Sequence, residues 1–174
     1  MKLGRKIRKI KLKILHLLRK NLNSTIYNFL ILQLAKKKFL KSIYANKIKL
    51  SKSKNLDKIN DYEYKITSQN NEDGIIDYLK SNITNPDNLF FEIGFDFSEF
   101  NSLNLIKKNW SGTLIDGDQI KYDKLKACIH KYFKYQNIDI YNDFINYENI
   151  NYVINRSIKK KNFDFFAIDT DGMD

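Results

Sequence analysis

Leu89-Phe90-Phe91-Glu92-Ile93-Gly94 is a short apolar run that follows the turn signal Asn85-Pro86-Asp87 and ends in a carboxylate and a glycine. An aromatic run of that length, bounded by turn residues, predicts a strand. The pattern recurs downstream. Thr113-Leu114-Ile115 ends at Asp116, residues 137–141 form a weaker third run, and residues 163–168 form a fourth that ends at Asp169. Residues 101–109, 119–135 and 147–161 lie between these runs and read as helices. Strands alternating with helices predict an α/β domain with a Rossmann-like, mostly parallel sheet of about four strands. Parallel neighbours need crossover connections, and such crossovers are right-handed.

In a doubly wound sheet the ligand binds outside the carboxyl ends of the strands, so the residues just past each run converge. Here those positions hold Glu92, Gly94 and Asp96, then Asp116 and Asp118, then Asp143, and finally Asp169 and Asp171. A carboxylate after the second strand can accept both ribose hydroxyl hydrogens of an adenosine cofactor. A glycine after the first lets the backbone approach the ligand without a Cβ clash. Acid beside that glycine would repel a pyrophosphate but suits a cation, which favours a sulfonium cofactor over a dinucleotide. The competing reading is structural: Asp116, Asp118 and Asp143 could each cap the helix that follows.

Five blocks in order add to this. Residues 68–76 (SQNNEDGII), Phe91-Glu92-Ile93-Gly94, residues 109–117 (NWSGTLIDG), Glu148-Asn149-Ile150-Asn151 and residues 167–172 (AIDTDG) together resemble a family of uncharacterised bacterial proteins related to FkbM-type methyltransferases. The resemblance implies a class I S-adenosylmethionine-dependent methyltransferase fold with its first strands in the order 3-2-1-4. It puts Glu92 and Gly94 at the methionine end of the cofactor and Asp116 on the ribose. Asp169 and Asp171 match the acidic block near the methyl transfer point, where one of them would serve as any general base. Positioning donor and acceptor in line does most of the work of such a transfer. Two departures stand out: Phe95-Asp96-Phe97-Ser98 carries no second glycine, and the family's sheet continues beyond the equivalent of Asp174. The implied product is a C-terminally truncated methyltransferase domain whose last strand, residues 163–168, is an exposed edge able to self-associate.

Charge divides the chain differently. Residues 1–58 hold 18 Lys and Arg against the single acid Asp57, out of a net charge of +11 for all 174 residues. Leu3, Ile7, Ile10, Ile14, Leu17 and Leu18 recur at helical spacing among lysines and arginines, which predicts a basic amphipathic helix. A second helix is expected from the cap Ser24 to about residue 43, with Phe29, Leu32, Phe39, Leu40 and Ile43 on its apolar side. The polar stretch 51–60 reads as a linker, so residues 1–58 form a basic helical extension and 59–174 the α/β domain. Such helices either pack with their lysines solvated or lie on an anionic membrane surface through residues 1–45. Nucleic acid ranks below both, since no aromatic-rich basic strand or reading motif accompanies the charge.

Other classes are set aside by composition. Ile26 to Ala35 is interrupted by Asn28 and Gln33 and is about half the ~20 residues that span a bilayer. No small-x-small cleavage site follows it, so a signal peptide is not expected. Cys128 is the only cysteine, which excludes an internal disulfide, and no Cys/His cluster has metal-ligand spacing. His16 and His130 read as solvated or half-buried, Tyr132, Phe133, Tyr135 and Trp110 as packing residues. The expectation is a cytoplasmic, S-adenosylmethionine-dependent methyltransferase-like protein whose acceptor is undetermined. Its rivals are a non-catalytic truncated remnant and a peripheral membrane protein acting through its basic helices.

Overall fold

A computed structural model describes residues 13–14, 17–45, 48–49, 58–157 and 162–170. The chain divides into two compact units, Met1–Lys37 and Lys38–Asp174. Helix α1 (Ser24–Ile43) begins in the first and ends in the second. Its opening N–H groups are met by Asn23 rather than by Ser24: the Asn23 side-chain oxygen accepts from Thr25 N at 2.8 Å. Of the proposed amphipathic helix before it, Leu3, Ile7 and Ile10 lie outside the described residues, whereas residues 17–21 are helical.

The second unit is mixed α/β. A short antiparallel pair, β1 (Ile48–Lys49) and β2 (Tyr64–Lys65), precedes the main sheet. That sheet contains β3 (Leu89–Ile93), β4 (Ser111–Asp116), β5 (Ile138–Asn142) and β6 (Phe165–Ile168) in spatial order β5-β4-β3-β6, with every neighbouring pair parallel. Helices α2 (Glu72–Ser81), α3 (Leu103–Lys107), α4 (Gln119–Tyr132) and α5 (Ile150–Ser157) surround it.

Strand alternation sends successive side chains to opposite layers. Phe90 and Leu114 enter one core with Leu103, Ile106, Trp110, Leu125 and Ile129. Phe91, Ile93 and Ile115 enter the other with Val153 of α5. Both faces of β3 are therefore apolar, which is why its sequence is a continuous run rather than an alternation. Phe39 of α1 is fully buried in the first core, 6.1 Å from the Tyr132 ring and 6.3 Å from the Phe133 ring. The compact unit thus starts inside α1, ahead of the polar stretch 51–60, of which residues 51–57 lie outside the described residues. Within that stretch Ile59 opens a 3-10 turn, Ile59–Tyr62.

Further sequence expectations change. Phe29 does not share the buried face of α1 but is exposed, and Tyr135 stands in solvent under Lys134 instead of covering the sheet. Strand β6 starts two residues later than its apolar run. Asp164 intervenes: its N–H donates to the Leu89 carbonyl at 2.8 Å and its carboxylate accepts from Leu89 N at 3.0 Å. Helix α2 has no counterpart in the sequence reading, which uses residues 68–76 only as a block of the resemblance. Fully buried Asp73 accepts from the backbone N–H groups of Ile66, Thr67 and Ser68 at 2.7–2.8 Å and from the hydroxyls of Thr67 and Ser68. That knot gathers the incoming loop onto the start of the helix.

Candidate functional site

The crossover pattern locates the crevice. From β3 through α3, β4 and α4 to β5 the chain winds one way, with α3 and α4 in the first core. It then returns through α5, in the second core, to place β6 on the other side of β3. The winding direction reverses between β3 and β6, and the loops leaving their carboxyl ends mark the switch point of an open α/β sheet.

Glu92, the penultimate residue of β3, lies on the first-core face and is fully buried. Its two oxygens accept from Asn101 N at 3.0 Å, Ser102 N at 2.9 Å and the Ser102 hydroxyl. Burial raises its pKa to about 7, against the opposing pull of the Ser102 and Asn101 hydrogen bonds and with a further push from Asp169. Glu92 therefore organises the loop ahead of α3 and does not present its carboxylate to solvent.

Gly94 follows with φ +78°, and a Cβ built on it would stand 1.9 Å from the Asp169 carbonyl oxygen. The glycine is required twice over, by its backbone conformation and by the close passage of the segment after β6. Gly94 N donates to the Ile115 carbonyl and Asp169 N to the Ile93 carbonyl, both at 2.8 Å. These bonds stitch the ends of β4, β3 and β6 together.

Asp116 ends β4, is 8% exposed and ties the neighbouring loops. One carboxylate oxygen accepts from Phe95 N at 3.1 Å, the other from Asp118 N at 2.7 Å, and the Lys121 ammonium lies 3.6 Å away. Asp118 caps α4 by accepting from Ile120 N at 2.7 Å and Lys121 N at 3.1 Å. Asp143 forms an ion pair with Arg156, and the turn before α5 is held instead by Asn146, whose side chain accepts from the N–H groups of Glu148 and Asn149. Asp96 is half-exposed and accepts from the Ser98 hydroxyl at 2.8 Å, with Lys38 at 3.5 Å. Burial pushes its carboxyl up, but the Ser98 hydrogen bonds and the Lys38 charge outweigh this and leave it below the usual range.

The carboxyl edge thus brings Glu92, Gly94, Asp116, Asp118 and Asp169 close together, with Asp96 and Asp143 flanking it. Asp171 lies outside the described residues. Sequence reasoning missed Ser102, the donor that holds Glu92, and Lys121, the cation beside Asp116. The second was legible in principle, since Lys121 follows Asp118 at the spacing of a first helical turn.

A cavity of about 200 Å³ lies at the opposite, amino-terminal edge, lined by Leu89, Phe90, Ser111, Gly112, Asn137 and Phe163 among others. This cavity and the acidic constellation therefore occupy different edges of the sheet. We assign the candidate site to the carboxyl edge, because there the loops diverge and the polar groups are positioned by backbone hydrogen bonds. Set against known protein families, characterised proteins and solved structures, the chain matches none.

Proposed function

We propose that the carboxyl edge of the sheet binds S-adenosylmethionine and that the chain is a methyltransferase-like protein of the FkbM-related class. The observation that carries this reading is Asp116 at the end of β4, beside the switch point. Each of its carboxylate oxygens already accepts one backbone N–H, and an oxygen with two lone pairs keeps capacity for a second donor. A vicinal diol supplies two such donors. The ribose of the cofactor fits that demand, with Lys121 swinging aside from its position 3.6 Å away.

In this arrangement Glu92 and Gly94 shape the loop at the methionine end, Asp96 and Asp118 hold the surrounding turns, and Asp143 flanks the site in its ion pair with Arg156. A sulfonium cation is favoured by the neighbouring carboxylates. Asp169 and Asp171 belong near the acceptor, where either carboxylate could take a proton from a hydroxyl or amine. Among the described residues no helix is long and apolar enough to cross a membrane; the cofactor and the buried thiol of Cys128 suit a cytoplasmic setting.

A second reading is favoured by a separate observation: Asp118 caps α4, Asp143 pairs with Arg156 and Glu92 is fully buried, so these acids have structural work to do. On that reading the domain is a non-catalytic remnant. Calorimetry with S-adenosylhomocysteine separates the two. A carboxylate accepting two hydroxyls is a charge-assisted contact of about 1.5–3 kcal/mol, so Asp116→Asn should bind at least about tenfold more weakly. The amide oxygen keeps one backbone N–H partner, and unfolding midpoints check that the variant remains folded. Equal affinity in both proteins removes the ribose assignment.

A further inference from the structure

Helix α1 carries an apolar stripe that no described residue covers. Ile26, Phe29, Leu30 and Leu34 are 52%, 59%, 39% and 53% exposed. Spacings of three and four place them on one side of the helix. Leu17 and Ile14 of the same unit are also more than half exposed. Around this stripe the charge is one-sided: residues 1–37 contain 11 Lys and Arg and not one Asp or Glu. Residues 38–174, by contrast, contain 20 basic and 20 acidic side chains and are neutral. The basic excess of the whole protein is therefore confined to the unit that bears the stripe.

We propose that residues 17–37 dock on an anionic lipid bilayer surface, with Ile26, Phe29, Leu30 and Leu34 entering the headgroup–acyl boundary and Arg19, Lys20, Lys36 and Lys37 contacting lipid phosphates. Three occupants can be compared by chemistry. A second copy of the same unit would bring 11 cations against 11 cations with no acid to pair them, so burial of the two stripes is opposed by charge. A nucleic acid satisfies the cations but offers no apolar surface for four large side chains. A bilayer interface supplies an anionic plane and an apolar layer beneath it, which matches both features at once. Since no described helix can span the bilayer, the helix lies along the interface.

The test uses the full chain and sonicated vesicles of phosphatidylcholine alone or mixed with phosphatidylserine. Flotation should recover the protein with the mixed vesicles and not with the neutral ones, and added salt should release it. Phe29→Ser with Leu30→Ser should weaken partitioning at least about tenfold, because apolar burial in the interface is lost. Neutralising Lys36 or Lys37 should weaken it roughly fivefold for each. Both apolar positions are exposed, so the variants leave the cores intact. A Phe29→Trp protein should show a blue-shifted emission on the mixed vesicles, relative to the parent with its buried Trp110. The proposal is overturned if the parent does not float, if the double serine variant floats as well as the parent, or if Phe29→Trp emission is unchanged on binding.

Discussion

At the carboxyl edge of the central sheet, Glu92, Asp116 and Asp118 accept from the backbone N–H groups of Asn101, Ser102, Phe95, Asp118, Ile120 and Lys121. At the amino edge, Asp87, Asp139, Phe90 and Phe91 are among the residues that line a cavity. One edge has donors and acceptors organised around acids; the other has room. The difference teaches that the acids of the carboxyl edge are builders of loops first, and that a cofactor there must use the acceptor capacity the loops leave over. Substitutions at the two edges should accordingly separate into large and small effects.

The largest effect is expected at Gly94→Ala. A positive φ costs an alanine ~1–2 kcal/mol. The new methyl group would also stand 1.9 Å from the Asp169 carbonyl oxygen, and pushing that backbone away should bring the total to roughly 3–5 kcal/mol. Urea unfolding measures it; a loss below about 1 kcal/mol would mean that β6 is not fixed to β3 as described.

Next comes Glu92, whose effect is visible in pH. Its folded pKa of about 7 lies above the ordinary 4.5, so the protonated form is favoured by folding. The stability this contributes is complete below pH 4.5 and is lost as the pH rises through about 7, a change on the order of 3 kcal/mol. Glu92→Gln, which cannot ionise, should flatten the decline in that window. Asp96 acts in the opposite sense and elsewhere: its lowered pKa means stability lost only as the pH falls below the ordinary 3.8. Parent and Glu92→Gln proteins with parallel stability profiles from pH 4.5 to 7 would contradict the role given to burial.

Much of this frame is legible in particular residues. The run Leu89 to Ile93 is apolar at every position but Glu92, which one layer of core on each side requires, and β3 occupies those same five residues. Asp118 signals its cap by standing one residue before α4. What is not legible depends on contacts distant in sequence. Phe39 and Phe29 are both aromatic residues of one helix, yet only Phe39 meets Tyr132 and Phe133, so local pattern alone does not separate them. The role of Asp73 is not visible in local pattern because its five donors lie in residues 66–68, upstream of the helix it starts. Asp116 is legible as a strand-end acid, but its engagement with Phe95 N crosses from one loop to another.

A smaller effect is expected from Asp118→Ala, about 1 kcal/mol for a lost helix cap, whereas Asp87→Ala at the amino edge should stay within about 0.5 kcal/mol. Reversal of that ranking in thermal unfolding would break the contrast between the edges. The expected self-association tests β6 in the same way. Among the described residues β6 pairs only with β3, and Phe166 and Ile168, on the sheet face shared with Phe91, are 44% and 49% exposed. The unit that holds it is neutral, so charge does not oppose pairing with a second copy. Phe166→Lys should then lower the mass seen by light scattering at a given concentration, as edge lysines do; an unchanged monomeric mass in both proteins would remove the edge as an interface.

The most direct test is where S-adenosylhomocysteine binds, read from amide chemical shifts of the labelled full chain during titration. The account predicts perturbation of Gly94, Phe95, Asp116, Gly117 and Asp118, with Ser111, Gly112 and Asn137 unmoved. Perturbation confined to those amino-edge residues, or no saturable change anywhere, would contradict it.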